Sequence, residues 1–135
     1  MTKKARADTS GLTRVVFRLP AGMQRDLAVE VAKSGYGLRG KSRWVNEAIL
    51  HYLNDVAWFD QIEADRQGER DANEEVRLDN QSLTAINKAT KIIQAKRPIF
   101  SSPRSTIIRC AIHYQLIGLD THTFRDFFKS VSPGD

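Results

Sequence analysis

Two short stretches, RVVFRLP at 14–20 and EEVRLD at 74–79, each set an arginine directly before a leucine, Arg18 before Leu19 and Arg77 before Leu78. A guanidinium is a planar, permanently charged fork of donors that fits a carboxylate, a phosphate or the O6/N7 edge of a guanine. Arg14 adds a second fork to the first stretch, Val16 an apolar contact, and Glu75 an acceptor to the second. Further donors collect in two runs, Lys41-Ser42-Arg43 and Arg104-Ser105-Thr106. Groups of these types pair with anions and polar edges and are not by themselves a bond-making set.

Catalytic patterns are missing from the sequence. His51, His113 and His122 stand on separate segments without an HExxH spacing, a cysteine pair or a close acidic partner. The sequence contains no G-x-S-x-G elbow, P-loop or dinucleotide fingerprint, and the acids between 60 and 75 do not follow the calcium-loop spacing. The chain is therefore read as a non-enzyme with no cofactor and no metal. The lone Cys110 has no internal disulfide partner and reads as a small buried hydrophobe.

The elements that must carry these groups follow from periodicity. Residues 14–19 alternate, with Val15, Phe17 and Leu19 on one side and Arg14, Val16 and Arg18 on the other, so a strand is predicted that ends at Pro20. Met23, Leu27 and Val31, flanked by Ala28 and Ala32, predict a helix over 22–33 closed by the glycine-rich turn SGYGLRG. A second helix is expected from about Gly40, with Trp44, Val45, Ala48, Ile49, Tyr52 and Leu53 recurring at three and four. The same grammar returns from residue 75. Val76 and Leu78 face one way and Glu75 and Arg77 the other; Leu83, Ile86, Ala89, Thr90 and Ile93 stripe one helix; and Ser102-Pro103 opens another that carries Ile107, Ile108, Ala111, Ile112 and Leu116. A shift of 59 lays Arg18-Leu19 on Arg77-Leu78, and a shift of 63 lays Ser42 on Ser105 and Ala48-Ile49 on Ala111-Ile112.

Charge follows the same division. The net charge is +5, yet residues 1–53 carry ten basic and four acidic groups, 54–75 two and eight, and 76–135 nine and four. Two basic segments flank an acidic connector, a distribution compatible with plain solubility or with a polyanion partner. The division expected is a basic arm at 1–13, a first half at 14–53, a connector at 54–74 with a possible short helix around Trp58, Phe59 and Ile62, a second half at 75–117 and a tail at 118–135 with a short helix. With 41% apolar and 27% charged residues and no apolar run near the roughly 18 a membrane span needs, no membrane partner is expected. No hydrophobic segment follows Lys3, Lys4 and Arg6, so the cytoplasm is the expected location.

Physics then restricts the architecture. One strand with two helices leaves backbone groups and an apolar face uncovered, whereas two copies can pair their strands antiparallel and pool four helices in one core. The fold class expected is α+β, mainly helical, with two such repeats forming one pseudo-twofold unit. These two segments, 14–53 and 75–117, resemble the ribbon-helix-helix DNA-binding family, and the fusion of two copies in one chain is similar to tandem accessory proteins of conjugative and T-DNA transfer systems. The resemblance implies a two-stranded ribbon entering the major groove of double-stranded DNA, with Arg14, Val16, Arg18, Glu75 and Arg77 toward the bases. It implies phosphate contacts at the start of each second helix, at Lys41, Ser42 and Arg43 and at Arg104, Ser105 and Thr106. The role implied is that of an accessory factor in plasmid DNA transfer, with a relaxase or another transfer protein as a further partner and cooperative self-association on DNA.

Alternatives stay open at this stage. A transcriptional repressor or antitoxin of the same fold, or a protein-interaction module without DNA affinity, fits the same residues. Glu75 can accept from cytosine N4 or hold a neighbouring arginine; Ser42 and Ser102 can cap helices or meet phosphates. Lys3, Lys4 and Arg6 can follow the phosphate backbone or form an ordinary terminus, and Phe124, Phe127 and Phe128 can pack on their own domain or on a partner. The two halves should share one core in a monomer, with domain swapping open to a connector of this length.

Overall fold

Alternation of apolar and charged residues gives a strand one dry face, and such a strand needs both a partner for its backbone and a cover for that face. The computed structural model describes residues 11–37, 40–63 and 71–131, by backbone alone beyond 118. Strand β1 (Thr13–Pro20) pairs antiparallel with β2 (Asp71–Leu78), Thr13 opposite Leu78 and Pro20 opposite Asp71. Around this two-stranded sheet lie α1 (Ala21–Ser34), α2 (Gly40–Leu53), α3 (Trp58–Glu63), α4 (Asn80–Lys96) and α5 (Pro103–Val131). The fold is mainly helical with one small antiparallel sheet, and the order strand, helix, helix occurs twice.

Strand β2 begins at Asp71, four residues before the second half expected at 75–117, so 71–74 belong to the sheet and not to the connector. Asp71, Asn73 and Glu74 are poor strand formers, but an eight-residue β1 offers a full ladder and pairing overrides propensity. The short helix expected around Trp58 is present as α3. The predicted break near residue 118 is absent: α5 runs on through 29 residues, because Gly118 weakens a helix without stopping it and no proline intervenes before Pro133. Whether Phe124, Phe127 and Phe128 pack on the domain lies outside the described side chains, as Lys3, Lys4 and Arg6 lie outside the described residues.

Val15, Phe17, Leu19, Val76 and Leu78 are all 5% exposed or less and form the floor of the core. Above them α2 and α5 pack on each other with Trp44, Val45, Ala48, Ile49, Ile107, Ile108, Ala111 and Ile112, joined by Leu27 from α1 and Ile86 and Ile93 from α4. The expected burial of Cys110 holds, at 7% exposure; Ala28 and Ala32, beside the predicted stripe, face solvent. Gly35 at φ 77° ends α1 in the left-handed region that glycine enters freely. Gly40 is required by contact: a Cβ there would come within 2.8 Å of the Tyr36 Cβ, so the turn presses directly on the start of α2.

Each crossing helix is tied to the strand of the other half. Asn46 on α2 donates to the Arg77 carbonyl (2.9 Å) and accepts from the Asp79 N–H (3.0 Å), while the Ser42 hydroxyl accepts from the Arg77 N–H (2.9 Å). At the position 63 residues on, Arg109 of α5 donates to the Arg18 carbonyl (2.9 Å) and to Thr106 Oγ1 (3.3 Å). Both strand edges thus meet side-chain partners instead of further strands, which blunts edge-to-edge pairing. Among the described residues, no helix is long and apolar enough to cross a membrane.

Candidate nucleic-acid interface

The sheet face opposite the core is uncovered. Its outward series is Arg14, Val16 and Arg18 on β1 and Asn73, Glu75 and Arg77 on β2, with Val16 at 52% exposure although apolar. The register sets Arg14 across from Arg77, Val16 across from Glu75, and Arg18 across from Asn73. All five outward residues named from sequence lie on this one face. Asn73 was missed because the second strand was begun at 75; the equal length of a partner strand was the signal that would have found it.

Glu75 reaches across the strands to Arg14, with Oε2 2.8 Å from Nε and Oε1 2.9 Å from Nη2. This two-pronged bond holds the Glu75 carboxyl below the usual carboxylate range and raises the Arg14 guanidinium. Of the two roles open to Glu75, holding a neighbouring arginine is the one seen. The Arg77 guanidinium makes no hydrogen bond or ion pair among the described residues, and neither does the Asn73 amide.

The starts of α2 and α5 flank the ribbon, and they differ. Lys41 turns back to Glu74, an inward residue opposite Phe17 that is 9% exposed and also accepts from Gln24 Nε2 (2.6 Å). Burial pushes the Glu74 carboxyl up, but the bonds from Lys41 and Gln24 outweigh it and leave the group below its ordinary value. Arg43 lies 4.0 Å over the Tyr36 ring and 3.5 Å from Glu47, whose other oxygen accepts from the Tyr36 hydroxyl (2.6 Å), raising that phenol. Ser42, half-buried in the first turn of α2, accepts the Arg77 N–H on its hydroxyl oxygen.

At α5 the picture inverts. Arg104 is exposed with no partner among the described residues, and Ser105 is half-buried in the same turn. Thr106, named from sequence as a phosphate contact, is 4% exposed and donates to the Ser102 carbonyl (3.1 Å), so its side chain points into the protein. Ser102 precedes the helix at φ 51°, outside the extended conformation of an ordinary N-cap, and takes the first-turn Thr106 N–H on its carbonyl (3.1 Å). A cleft of about 740 Å³ runs beside α2, lined by Leu12, Lys41, Arg43, Asn46, Leu50 and Arg77. Among the described residues no group of three His, Cys, Asp or Glu could hold a metal ion.

What the geometry defines is a helical chain whose antiparallel ribbon presents one exposed, predominantly cationic face between two helix starts. No family model, no curated protein and no solved structure matches the chain.

Proposed function

We propose that the chain is a tandem ribbon-helix-helix protein, its two repeats forming one pseudo-twofold unit, that binds double-stranded DNA sequence-specifically by laying the ribbon in the major groove. The observation that carries this reading is the uncovered sheet face, where three arginines, an asparagine, a valine and a glutamate bonded to one of the arginines stand on a two-stranded scaffold backed by core. The major groove is about 12 Å wide and admits a two-stranded ribbon, where arginine suits guanine, asparagine adenine, and an exposed valine a thymine methyl. The helix starts beside the ribbon supply positive dipole ends for phosphates, with Arg104 as the untied side chain. Its role is that of an accessory factor in transfer of plasmid DNA, assisting a relaxase, a proposal that rests on the family resemblance alone.

The test is direct binding. A labelled duplex pool should be bound at low salt with an affinity that falls linearly in log–log form as salt rises, and repeated selection should enrich one sequence. A chain that binds no duplex even at low salt would contradict the reading and favour a protein partner for the ribbon.

A further inference from the structure

The outward series of the two strands are not alike. Strands aligned by the shift of 59 put Arg14 on Asn73, Val16 on Glu75 and Arg18 on Arg77, and the register makes Val16 and Glu75 the pair at the ribbon centre. One end of the ribbon therefore carries two arginines, Arg14 across from Arg77, and the other end one arginine and one amide, Arg18 across from Asn73. Glu75 then removes the ambiguity between the ends. Its carboxylate reaches toward Arg14, not toward the Arg18 side, so the Arg14 fork, though exposed, is engaged by two oxygens.

We infer that this ribbon reads a non-palindromic duplex and that Asn73 and Glu75 set its direction on the DNA. The inference rests on the DNA-binding reading above. At the Arg18 end, directly opposed residues on one face have Cβ atoms about 5 Å apart, so Asn73 and Arg18 meet the same or adjacent base pairs, asparagine taking adenine N6 and N7 and arginine guanine O6 and N7. At the Arg77 end, Arg77 takes a guanine while Arg14 is a positioned charge whose fork Glu75 restrains. Residues 14 and 18 are separated by about 14 Å along a strand, roughly four base-pair rises. The substrate class is a duplex with guanine near both ends of the contacted segment and adenine beside only one of them.

Selection from random duplex DNA with two chains tests this. The wild type should enrich a non-palindromic site with that one-sided adenine. The double variant Asn73→Arg with Glu75→Val gives both strands the outward series Arg, Val, Arg; it should enrich a palindromic site and lose the adenine. Both positions are on the exposed face, and circular dichroism checks that the fold is kept. As a second measurement, Asn73→Ala should weaken binding to the wild-type site by about tenfold and bind equally after the adenine is exchanged for another base. A double variant that binds but enriches the wild-type site, or a wild type that enriches a palindrome, overturns the inference while leaving DNA binding intact. A wild type that enriches nothing overturns both.

Discussion

The start of α2 and the start of α5 occupy corresponding places in the two halves, yet one is internally neutralised and the other is open. Lys41 is spent on buried Glu74 and Arg43 on Tyr36 and Glu47, whereas Arg104 stands free among the described residues. The body of each helix differs in the complementary sense. Asn46 on α2 is a neutral amide, and Arg109 at the matching place on α5 is a buried cation. Glu47 lines an open side of α2, while Cys110 at its counterpart position on α5 lies 3.9 Å from the Gln61 carbonyl of α3. Fusion in one chain teaches why: each half needs only to complement the other, so the same backbone task is performed by different side chains.

The strongest way to break the comparison is to remove the two cross-ties. Arg109→Ala should cost about 3 kcal/mol or more, through a cavity and the loss of hydrogen bonds to the Arg18 carbonyl and Thr106, and Asn46→Ala about 2 kcal/mol by unpairing the Arg77 carbonyl and the Asp79 N–H. Urea unfolding at neutral pH measures both; costs near zero would mean that the ties do not hold the crossing helices to the strands.

A smaller effect separates the two helix starts by acid. The folded Glu74 carboxyl, bonded by Lys41 and Gln24, lies below the ordinary glutamate value, so its contribution is full above the unfolded value and is lost as pH falls through the lower folded one. Glu74→Gln should therefore be less stable than wild type at pH 7, by about 1–2 kcal/mol, and the gap should close on acidification below about pH 4. A gap independent of pH would show that the Lys41–Glu74 pair adds nothing.

The smallest effect lies in salt dependence. Arg104→Ala should reduce the slope of log affinity against log salt by about one unit, while Lys41→Ala should leave the slope nearly unchanged and lower stability instead. The reverse pattern would mean that DNA draws Lys41 away from Glu74.

Much of this was legible in the residues themselves. Period-two alternation at 14–19, the stripe Trp44, Val45, Ala48, Ile49, Tyr52 and the proline at 103 located β1, α2 and the start of α5, because each pattern has one burial solution. The start of β2 was not legible, since Asp71, Asn73 and Glu74 are in the sheet by virtue of partners more than fifty residues away. The fate of Lys41 was hidden for the same reason. Its acid is adjacent only after the strand pairs, so a lysine beside a helix start read as a phosphate donor. Thr106 was misplaced because a helix start shows from sequence but its rotation toward the core does not.

The central claim is that the outward ribbon face reads DNA, and Arg18 and Arg77 together test it most directly. Fluorescence anisotropy with the selected duplex and a scrambled one should show each single Arg→Ala variant weakened by about 1–3 kcal/mol on the selected duplex, with discrimination between the two duplexes flattened in the double variant. Unchanged affinity and unchanged preference in a double variant whose circular dichroism matches wild type would contradict the account.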